Sequence, residues 1–273
     1  DSFRPSCIIF GGYRLKYIFF IRGIIRNKNI KVYYWLERFD VSKSIKISIL
    51  NLLFKKLFFK SHGILAIGQE AKKFYKKYNK NVVNLPYSIN YSKKIKKIKF
   101  KGEKIRFLFV GQLIYRKGID LIINLLKKNQ YKNFEIKIVG EGIYSKEILN
   151  LSKKYKNIIY YKFQNSTKLK KIYLNSDVMI FPSRFDGWGV VALEAMNYKL
   201  AIISSQNVGV KEVFPKKKIK IKPNEKELDK KIKFLSKNPE LIKKLGIQNN
   251  ISLKNSICNS ENSVKKFIKY IKT

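Results

Sequence analysis

The sequence predicts an α/β fold in which a parallel sheet is covered by helices. From residue 103 onward, short apolar runs alternate with amphipathic stretches, and the connections between them are short. Repeated strand–helix units of this kind build parallel sheets. The chain has 273 residues, of which 45% are hydrophobic, so it can bury one or two cores.

The first 90 residues contain three predicted strands, over residues 8–10, 31–36 and 63–67. A basic amphipathic helix is predicted over residues 45–59. Its apolar face fits a protein core better than a lipid surface, although the lysines around it would favour an anionic membrane. His62 is the single histidine of the chain. Because it precedes a strand instead of following one, we interpret it as structural.

Residues 103–255 alternate between the two kinds of element. Strands are predicted over residues 105–110, 134–139, 157–161, 177–181 and 200–204. Helices are predicted over residues 119–126, 145–155, 167–175 and 190–197. Ligands of parallel sheets bind beyond the carboxyl ends of the strands. Four residues at those ends are expected to share one edge of the sheet: Gly111, Gly140, Pro182 and Ser205.

The C-terminal part is predicted to be helical. Asn224 stands where a helix N-cap would accept a backbone hydrogen bond. Pro239 suits the first position of the next helix. The stretch from residue 260 to residue 272 carries apolar residues on one face, so it is predicted to be the last helix.

The net charge of +42 accompanies an abundance of lysine, isoleucine and asparagine, so composition bias is its main explanation. The lysines are spread over the chain, so nucleic acid is not an expected partner. A positive protein is nevertheless attracted to anionic membranes. There is no run of 18 apolar residues, and Cys7 and Cys258 form no disulfide framework. We expect a cytoplasmic protein that associates with the inner face of the membrane.

The most informative segment is residues 181–196, which read FPSRFDGWGVVALEAM. It follows a buried strand and predicts a glycine-rich loop that opens a helix. The start of such a helix presents backbone N–H groups and the positive end of a dipole, which suit an anion. Asp186 in the loop and Glu194 one turn into the helix can face the same crevice.

This segment resembles the C-terminal signature of the GT-B fold retaining glycosyltransferases of family 4, the glycosyl transferases group 1. The resemblance extends over further segments at residues 85–90, 111–120, 138–142 and 209–213. It covers the chain from about residue 60 to the C-terminus. The chain departs from the family pattern at Asp186, where Glu is commoner, and at Gln112, where Arg is usual.

The resemblance implies a fold and a reaction. It implies a C-terminal Rossmann-like parallel sheet with helices on both faces and a partial N-terminal Rossmann-like domain. The reaction is transfer of a sugar, with retention, from a nucleotide-diphosphate donor to a glycan or lipid-linked acceptor, as in polysaccharide biosynthesis. No metal and no cofactor besides the nucleotide sugar are implied, and the sequence contains no Asp-x-Asp motif.

The resemblance also implies roles for residues. Lys117 would bind the donor diphosphate, Glu194 the ribose hydroxyls, and Asp186 would lie nearest the transferred sugar. Arg116 would compensate for the arginine that Gln112 replaces. The expected catalytic residues are Asp186, Lys117 and Glu194, and the expected donor-binding residues are Gly111, Gln112, Arg116, Lys117, Gly187, Trp188, Gly189, Val190 and Glu194.

The expected domain organisation follows from the same resemblance. Residues 1–90 would form a partial acceptor-side domain, residues 91–102 a hinge, and residues 103–255 the nucleotide-sugar domain. Residues 256–273 would cross back to the N-terminal domain. Because only three early strands are found, we expect the chain to lack the first part of that domain and to transfer sugar poorly. Glu37 and Arg38 follow the second strand and are the expected acceptor-side residues.

Three other functions are compatible with the sequence. A truncated domain could bind a nucleotide sugar without catalysis. A glycosidase could use Asp186 and Glu194 as its two carboxylates, although a diphosphate-binding Lys117 is not expected there. A basic module could bind membranes or nucleic acid without catalysis.

Overall fold

The structure is a computed structural model that describes residues 5–12, 30–38, 54–55, 57–58, 61–92, 95, 104–128, 134–215 and 219–272. The chain divides into two compact units. Unit 1 comprises residues 1–87 and 263–273, and unit 2 comprises residues 88–262. Each unit contains a parallel sheet, so the predicted α/β class is confirmed.

Unit 1 is built on a parallel sheet in the order β1-β2-β3-β4. Its elements are β1 (Cys7–Gly11), β2 (Lys31–Glu37), β3 (Gly63–Ile67), α1 (Gln69–Tyr75) and β4 (Val82–Asn84). Its core is aromatic, since Tyr34, Phe58 and Tyr75 are fully buried and the Phe58 ring contacts each of the two tyrosine rings edge to face. The Tyr270 hydroxyl donates to the carbonyl of Asn81, which ties residues 263–272 to the same unit.

The basic helix predicted over residues 45–59 lies largely outside the described residues. Residues 54–55 and 57–58 are described and are helical. Phe54 and Leu57 are each 3% exposed and belong to the core of unit 1. At these positions the apolar face is therefore used for packing inside the protein.

Unit 2 contains six strands: β5 (Ile105–Val110), β6 (Phe134–Val139), β7 (Ile158–Tyr161), β8 (Val178–Phe181), β9 (Ala201–Ser205) and β10 (Ile219–Ile221). Its helices are α2 (Ile119–Lys127), α3 (Ser145–Lys154), α4 (Ser166–Leu174), α5 (Val190–Asn197), α6 (Glu225–Ser236) and α7 (Pro239–Asn255). The helix α8 (Ser260–Lys272) begins in unit 2 and continues into unit 1. Two short 3-10 turns, Tyr115–Lys117 and Gly209–Glu212, follow β5 and β9.

The strand order of unit 2 is β10-β9-β8-β5-β6-β7, and all neighbouring strands are parallel. Along the chain, β5, β6 and β7 follow one another toward one edge of the sheet. The next strand, β8, then pairs with the other side of β5. In sheets of this type the crevice beyond such a reversal point is the usual ligand site. Gly111 follows β5, Gly140 follows β6, Pro182 follows β8 and Ser205 ends β9, so the expected common edge is confirmed.

At the opposite end of the same strands, Arg106 and Asp177 lock β5 to β8. The Arg106 side chain donates to both carboxylate oxygens of Asp177, at 2.8 Å each, and its backbone N–H donates to Oδ2 at 3.1 Å. The Asp177 side chain is 7% exposed and that of Arg106 is 17% exposed. This ion pair therefore stabilises the pairing of β5 with β8, and the loops after these two strands form the crevice.

Two strands were not predicted from the sequence. β4 and β10 are three residues long, and each lies at the edge of its sheet. Such short edge strands are defined by their pairing partner more than by their own residues. The predicted helix start at Asn224 is confirmed, because its side chain accepts a hydrogen bond from the Glu227 N–H at 2.9 Å.

Replacement of Asp177 by Ala should destabilise unit 2. It leaves a largely buried guanidinium without its carboxylate, which costs about 3 kcal/mol of unfolding free energy. The chain has two tryptophans, Trp35 in unit 1 and Trp188 in unit 2. Urea unfolding followed by Trp188 fluorescence in a Trp35→Phe background measures the effect.

The matched control is Glu240→Ala, which deletes an exposed carboxylate at the start of α7. Its unfolding free energy should change by no more than about 0.5 kcal/mol. An equally small change for Asp177→Ala would show that the Arg106 contact does not lock β5 to β8.

Candidate functional site

The loops after β5 and β8 meet at the crevice. The Arg184 N–H donates to the carbonyl of Arg116 at 2.9 Å. Gly118 has φ 73°, and a Cβ on it would lie 2.4 Å from the carbonyl oxygen of Pro182. A side chain at this position would force the loops apart, so the glycine is what allows the two loops to lie this close.

Lys117 and Asp186 form an ion pair across this junction. The Lys117 Nζ lies 2.5 Å from Asp186 Oδ2, and the two side chains are 17% and 9% exposed. The Asp186 N–H donates to the carbonyl of Asn207, while the Gly209 N–H donates to the carbonyl of Asp186. The loop after β9 therefore holds Asp186 in place, and the structure brings together two of the predicted catalytic residues.

Arg184 forms a second set of contacts between the loops after β5 and β8. Its guanidinium donates to both oxygens of the Asp120 carboxylate, at 2.7 and 2.6 Å, and to the carbonyl of Tyr115 at 2.6 Å. It also stacks over the Tyr115 ring, 3.6 Å from the ring centroid. Planar, bidentate contacts of this kind fix geometry. Lys117 lies between Tyr115 and Asp120, so the segment that carries it is held at both ends.

Besides Lys117, three of the predicted donor-binding residues lie in the β5 loop. Arg116 donates from its guanidinium to the carbonyl of Phe185 at 3.0 Å, so part of its hydrogen-bonding capacity serves the loop contact. Gln112 is exposed at the edge of the sheet. The Gly111 N–H donates to the carbonyl of Val139, which joins the β5 loop to the end of β6.

The remaining predicted donor-binding residues open α5. Gly189 is the residue before the helix, with φ 102°, and Val190 is its first residue. Gly187 and Trp188 precede them and are buried. The Trp188 Nε1 has no hydrogen-bond partner among the residues described. The first N–H groups of α5 point toward the edge at which the β5 loop lies, as the parallel strand order requires.

Glu194 lies on α5 and contacts a residue of α4. The Tyr173 hydroxyl donates to Glu194 Oε2 at 2.8 Å. Burial raises the pKa of Glu194 above its ordinary value, while the hydrogen bond from Tyr173 lowers this pKa and offsets part of the effect. The carboxylate is therefore partly desolvated but retains a donor that favours its charged form.

The predicted acceptor-side residues belong to unit 1, at the carboxyl end of β2. Arg38 lies 3.9 Å from the Glu70 carboxylate. Burial, together with the charge of Glu37 and a hydrogen bond to it, raises the pKa of Tyr87 to about 12. Glu37 and Tyr87 therefore form a polar pair at that edge. The Nδ1 of His62 accepts the Val32 N–H at 2.9 Å at the opposite end of the sheet, which is a structural role.

Within the described residues, no cluster of three or more His, Cys, Asp or Glu side chains could hold a metal ion. In the same part of the chain, no helix has the length and apolar character needed to span a membrane.

Three residues of the site, Arg184, Asp120 and Tyr173, were not predicted from the sequence. Arg184 and Asp120 are oppositely charged residues in the segments 181–196 and 111–120, so their pairing could have been suspected. Tyr173 lies on a predicted helix 21 residues before Glu194, and no sequence pattern marks it. The direction in which the Tyr173 side chain points depends on how α4 packs.

The pair formed by Arg184 and Asp120 should stabilise the site more than an exposed pair would. A double-mutant cycle with Arg184→Ala and Asp120→Ala should give an interaction free energy of about 1–3 kcal/mol, because both groups are largely buried and bidentate. Chemical denaturation of the four proteins supplies the values.

Lys127 and Glu147 provide the control cycle, since their side chains are 54% and 35% exposed. Their interaction free energy should be below about 1 kcal/mol. Equal values for the two cycles would contradict the view that Arg184 rigidifies the loops.

Comparison with solved structures shows the fold. Sucrose-phosphate synthase of Thermosynechococcus elongatus superposes with a TM-score of 0.80 at 16% identity, covering 98% of this chain and 73% of that protein. Anabaena HepE, solved in complex with UDP-glucose, has a TM-score of 0.76 at 12% identity, covering 97% of this chain and 78% of that protein. The predicted GT-B fold is therefore confirmed.

Sequence comparison shows the family. An uncharacterized glycosyltransferase of Methanocaldococcus jannaschii is 34% identical over 111 residues, which is 39% of this chain and 28% of the relative. The matches span less than half the length of the curated relatives. The family model described as glycosyl transferases group 1 matches residues 90–251. The chain therefore belongs to the glycosyl transferases group 1 family.

Proposed function

We propose that this chain binds a nucleoside-diphosphate sugar in the crevice beyond β5 and β8. The sugar is transferred to a glycan or lipid-linked acceptor, with retention and without a metal ion. The observation that carries the proposal is the contact between Lys117 and Asp186 at the reversal point of the sheet. The UDP-glucose present in the HepE structure supports a donor of this chemical class.

Lys117 binds the diphosphate in this proposal. Its ammonium group has three donors, so it can keep Asp186 as a partner and still bind phosphate oxygens. The N–H groups at the start of α5, over residues 187–190, bind the same phosphates or hydroxyls of the sugar. Gly111, Gln112 and Arg116 line the phosphate side of the crevice. Glu194 accepts hydrogen bonds from the ribose hydroxyls.

Departure of the diphosphate builds negative charge on its oxygens. Lys117 and the positive end of the α5 dipole lie where that charge develops, and such preorganised groups stabilise a transition state. This supply of positive charge is the reason for proposing a metal-independent reaction. Asp186, held by backbone hydrogen bonds on both sides of its Cα, positions Lys117 and lies beside the transferred sugar.

The acceptor side of the proposal rests on Glu37 and Arg38. A carboxylate and a guanidinium at the end of a strand can bind the hydroxyl groups of a glycan. The Tyr87 hydroxyl, which is hydrogen-bonded to Glu37, is a further polar group at the same edge of the sheet. We also propose that the protein works in the cytoplasm and that its net charge of +42 favours acceptors held at anionic membranes.

Two alternatives make different predictions. A noncatalytic domain would bind the nucleotide sugar without releasing nucleotide. A glycosidase would use Asp186 and Glu194 as an acid and a nucleophile. The ion pair between Asp186 and Lys117 favours a phosphate-binding role over that arrangement.

Lys117→Ala should weaken binding of UDP or ADP, whichever the wild type prefers, by about 1.5–3 kcal/mol, because one charge-assisted hydrogen bond is lost. Binding of the matching nucleoside should change much less, since it lacks phosphates. Isothermal titration calorimetry at one fixed salt concentration compares the ligands.

Lys170→Ala is the control variant, because Lys170 is exposed on α4 and its removal changes the net charge equally. It should leave both affinities close to those of the wild type. Equal weakening of nucleotide and nucleoside by Lys117→Ala would contradict a phosphate contact.

Retention predicts that an α-linked donor gives an α-linked product. The chain, incubated with UDP-glucose labelled with ¹³C at C1 and a mixture of glycan acceptors, should yield a small amount of product with an α-anomeric signal in NMR. A β-anomeric product would show inversion. Release of free glucose without any glycoside would favour the glycosidase alternative.

A further inference from the structure

We infer that Tyr173 is a positioning residue that orients the Glu194 carboxylate so that both of its oxygens can accept the ribose hydroxyls of the donor. The inference rests on the proposed function of Glu194. Tyr173 lies on α4, outside the sequence motifs, and belongs to the part of the site that binds the nucleoside.

The phenol of Tyr173 is held from two sides. Tyr173 is 1% exposed, and its ring stacks on the ring of Tyr198, with centroids 5.2 Å apart and an angle of 10° between the planes. Its hydroxyl lies 2.8 Å from Glu194 Oε2 and 3.4 Å from the carbonyl oxygen of Val191. A hydroxyl has one proton, and the shorter contact to a carboxylate is the stronger bond. The donor is therefore directed at Glu194.

A hydrogen bond from this fixed phenol restricts the carboxylate. A glutamate side chain has several rotatable bonds, and ordering them during ligand binding costs free energy. Tyr173 orders the group before the ligand arrives. It occupies one acceptor position of Oε2, so the remaining lone pairs of Oε1 and Oε2 can accept the two hydroxyls of a vicinal diol.

Tyr173 also maintains the charge that this task requires. Protonation would convert one of the acceptor oxygens of Glu194 into a donor. Burial raises the pKa of Glu194, and the hydrogen bond from Tyr173 opposes that rise. Among the described residues, the titratable groups that interact with the carboxylate are Tyr173 from α4 and Tyr198, the residue that follows α5. The pKa of each is raised, by burial and then by the charge of Glu194, so both stay neutral near pH 7.

Tyr173→Phe tests the inference, because it removes the hydroxyl and keeps the ring that stacks on Tyr198. Tyr91→Phe is the control, since Tyr91 donates a comparable hydrogen bond, 2.9 Å long, to Asn250 within unit 2. The probes are UDP, 2′,3′-dideoxy-UDP and inorganic pyrophosphate, and calorimetry measures their affinities between pH 5 and pH 8.

Wild type and Tyr91→Phe should bind UDP more tightly than the dideoxy analogue. Tyr173→Phe should weaken UDP binding about tenfold, as expected for loss of a hydrogen bond to a charged group, and leave the two other probes unchanged. The loss of UDP affinity on acidification should move to higher pH in this variant, because the pKa of Glu194 then rises further. A Tyr173→Phe protein that keeps the wild-type preference for UDP and the wild-type pH profile overturns the inference.

Failure of the proposed function gives a different result. If the wild type binds neither UDP, ADP nor pyrophosphate, the proposed donor site is wrong and the ribose role of Tyr173 falls with it. A ¹³C NMR titration of the Glu194 carboxyl in wild type and Tyr173→Phe decides independently whether Tyr173 controls this group. An unchanged titration in the variant overturns that control even if UDP binds.

Discussion

The site depends on the pairing of β5 with β8, two strands that are distant in sequence and adjacent in the sheet. Arg106 and Asp177, separated by 71 residues, join these strands at their amino ends. Because the strands are parallel, the loops at their carboxyl ends must also be neighbours. The contacts of Gly118 with Pro182, Arg116 with Arg184 and Lys117 with Asp186 follow from that arrangement.

The lysine of the site is paired with a carboxylate, although the chain as a whole carries a large excess of positive charge. The sequence carries a net charge of +42, yet the lysine at the crevice is paired with a buried carboxylate. A buried ammonium without a partner would be costly, so Asp186 allows Lys117 to be held inside the junction before any ligand binds. The wider positive field would attract an anionic donor to the protein, and the specific contacts would then determine where its phosphates bind.

Much of this arrangement could be predicted from the sequence, because the motifs fall at strand ends and parallel topology gathers strand ends at one edge. The strands that packing alone defines could not be predicted, as β4 and β10 illustrate. Tyr173 illustrates the same limit for side chains, since its hydrogen bond to Glu194 depends on the rotation of α4 about its axis. Arg184 and Asp120 are intermediate, because both are in recognised motifs but their pairing needs the loop geometry.

Hydrogen exchange measured by mass spectrometry, with and without a nucleoside diphosphate, tests most directly whether the crevice beyond β5 and β8 is the ligand site. If the diphosphate binds there, it should slow exchange in two separate segments, residues 111–119 and residues 182–192, because both loops contact it. Slowed exchange confined to other segments, or to one of these two loops, would contradict a site shared by β5 and β8.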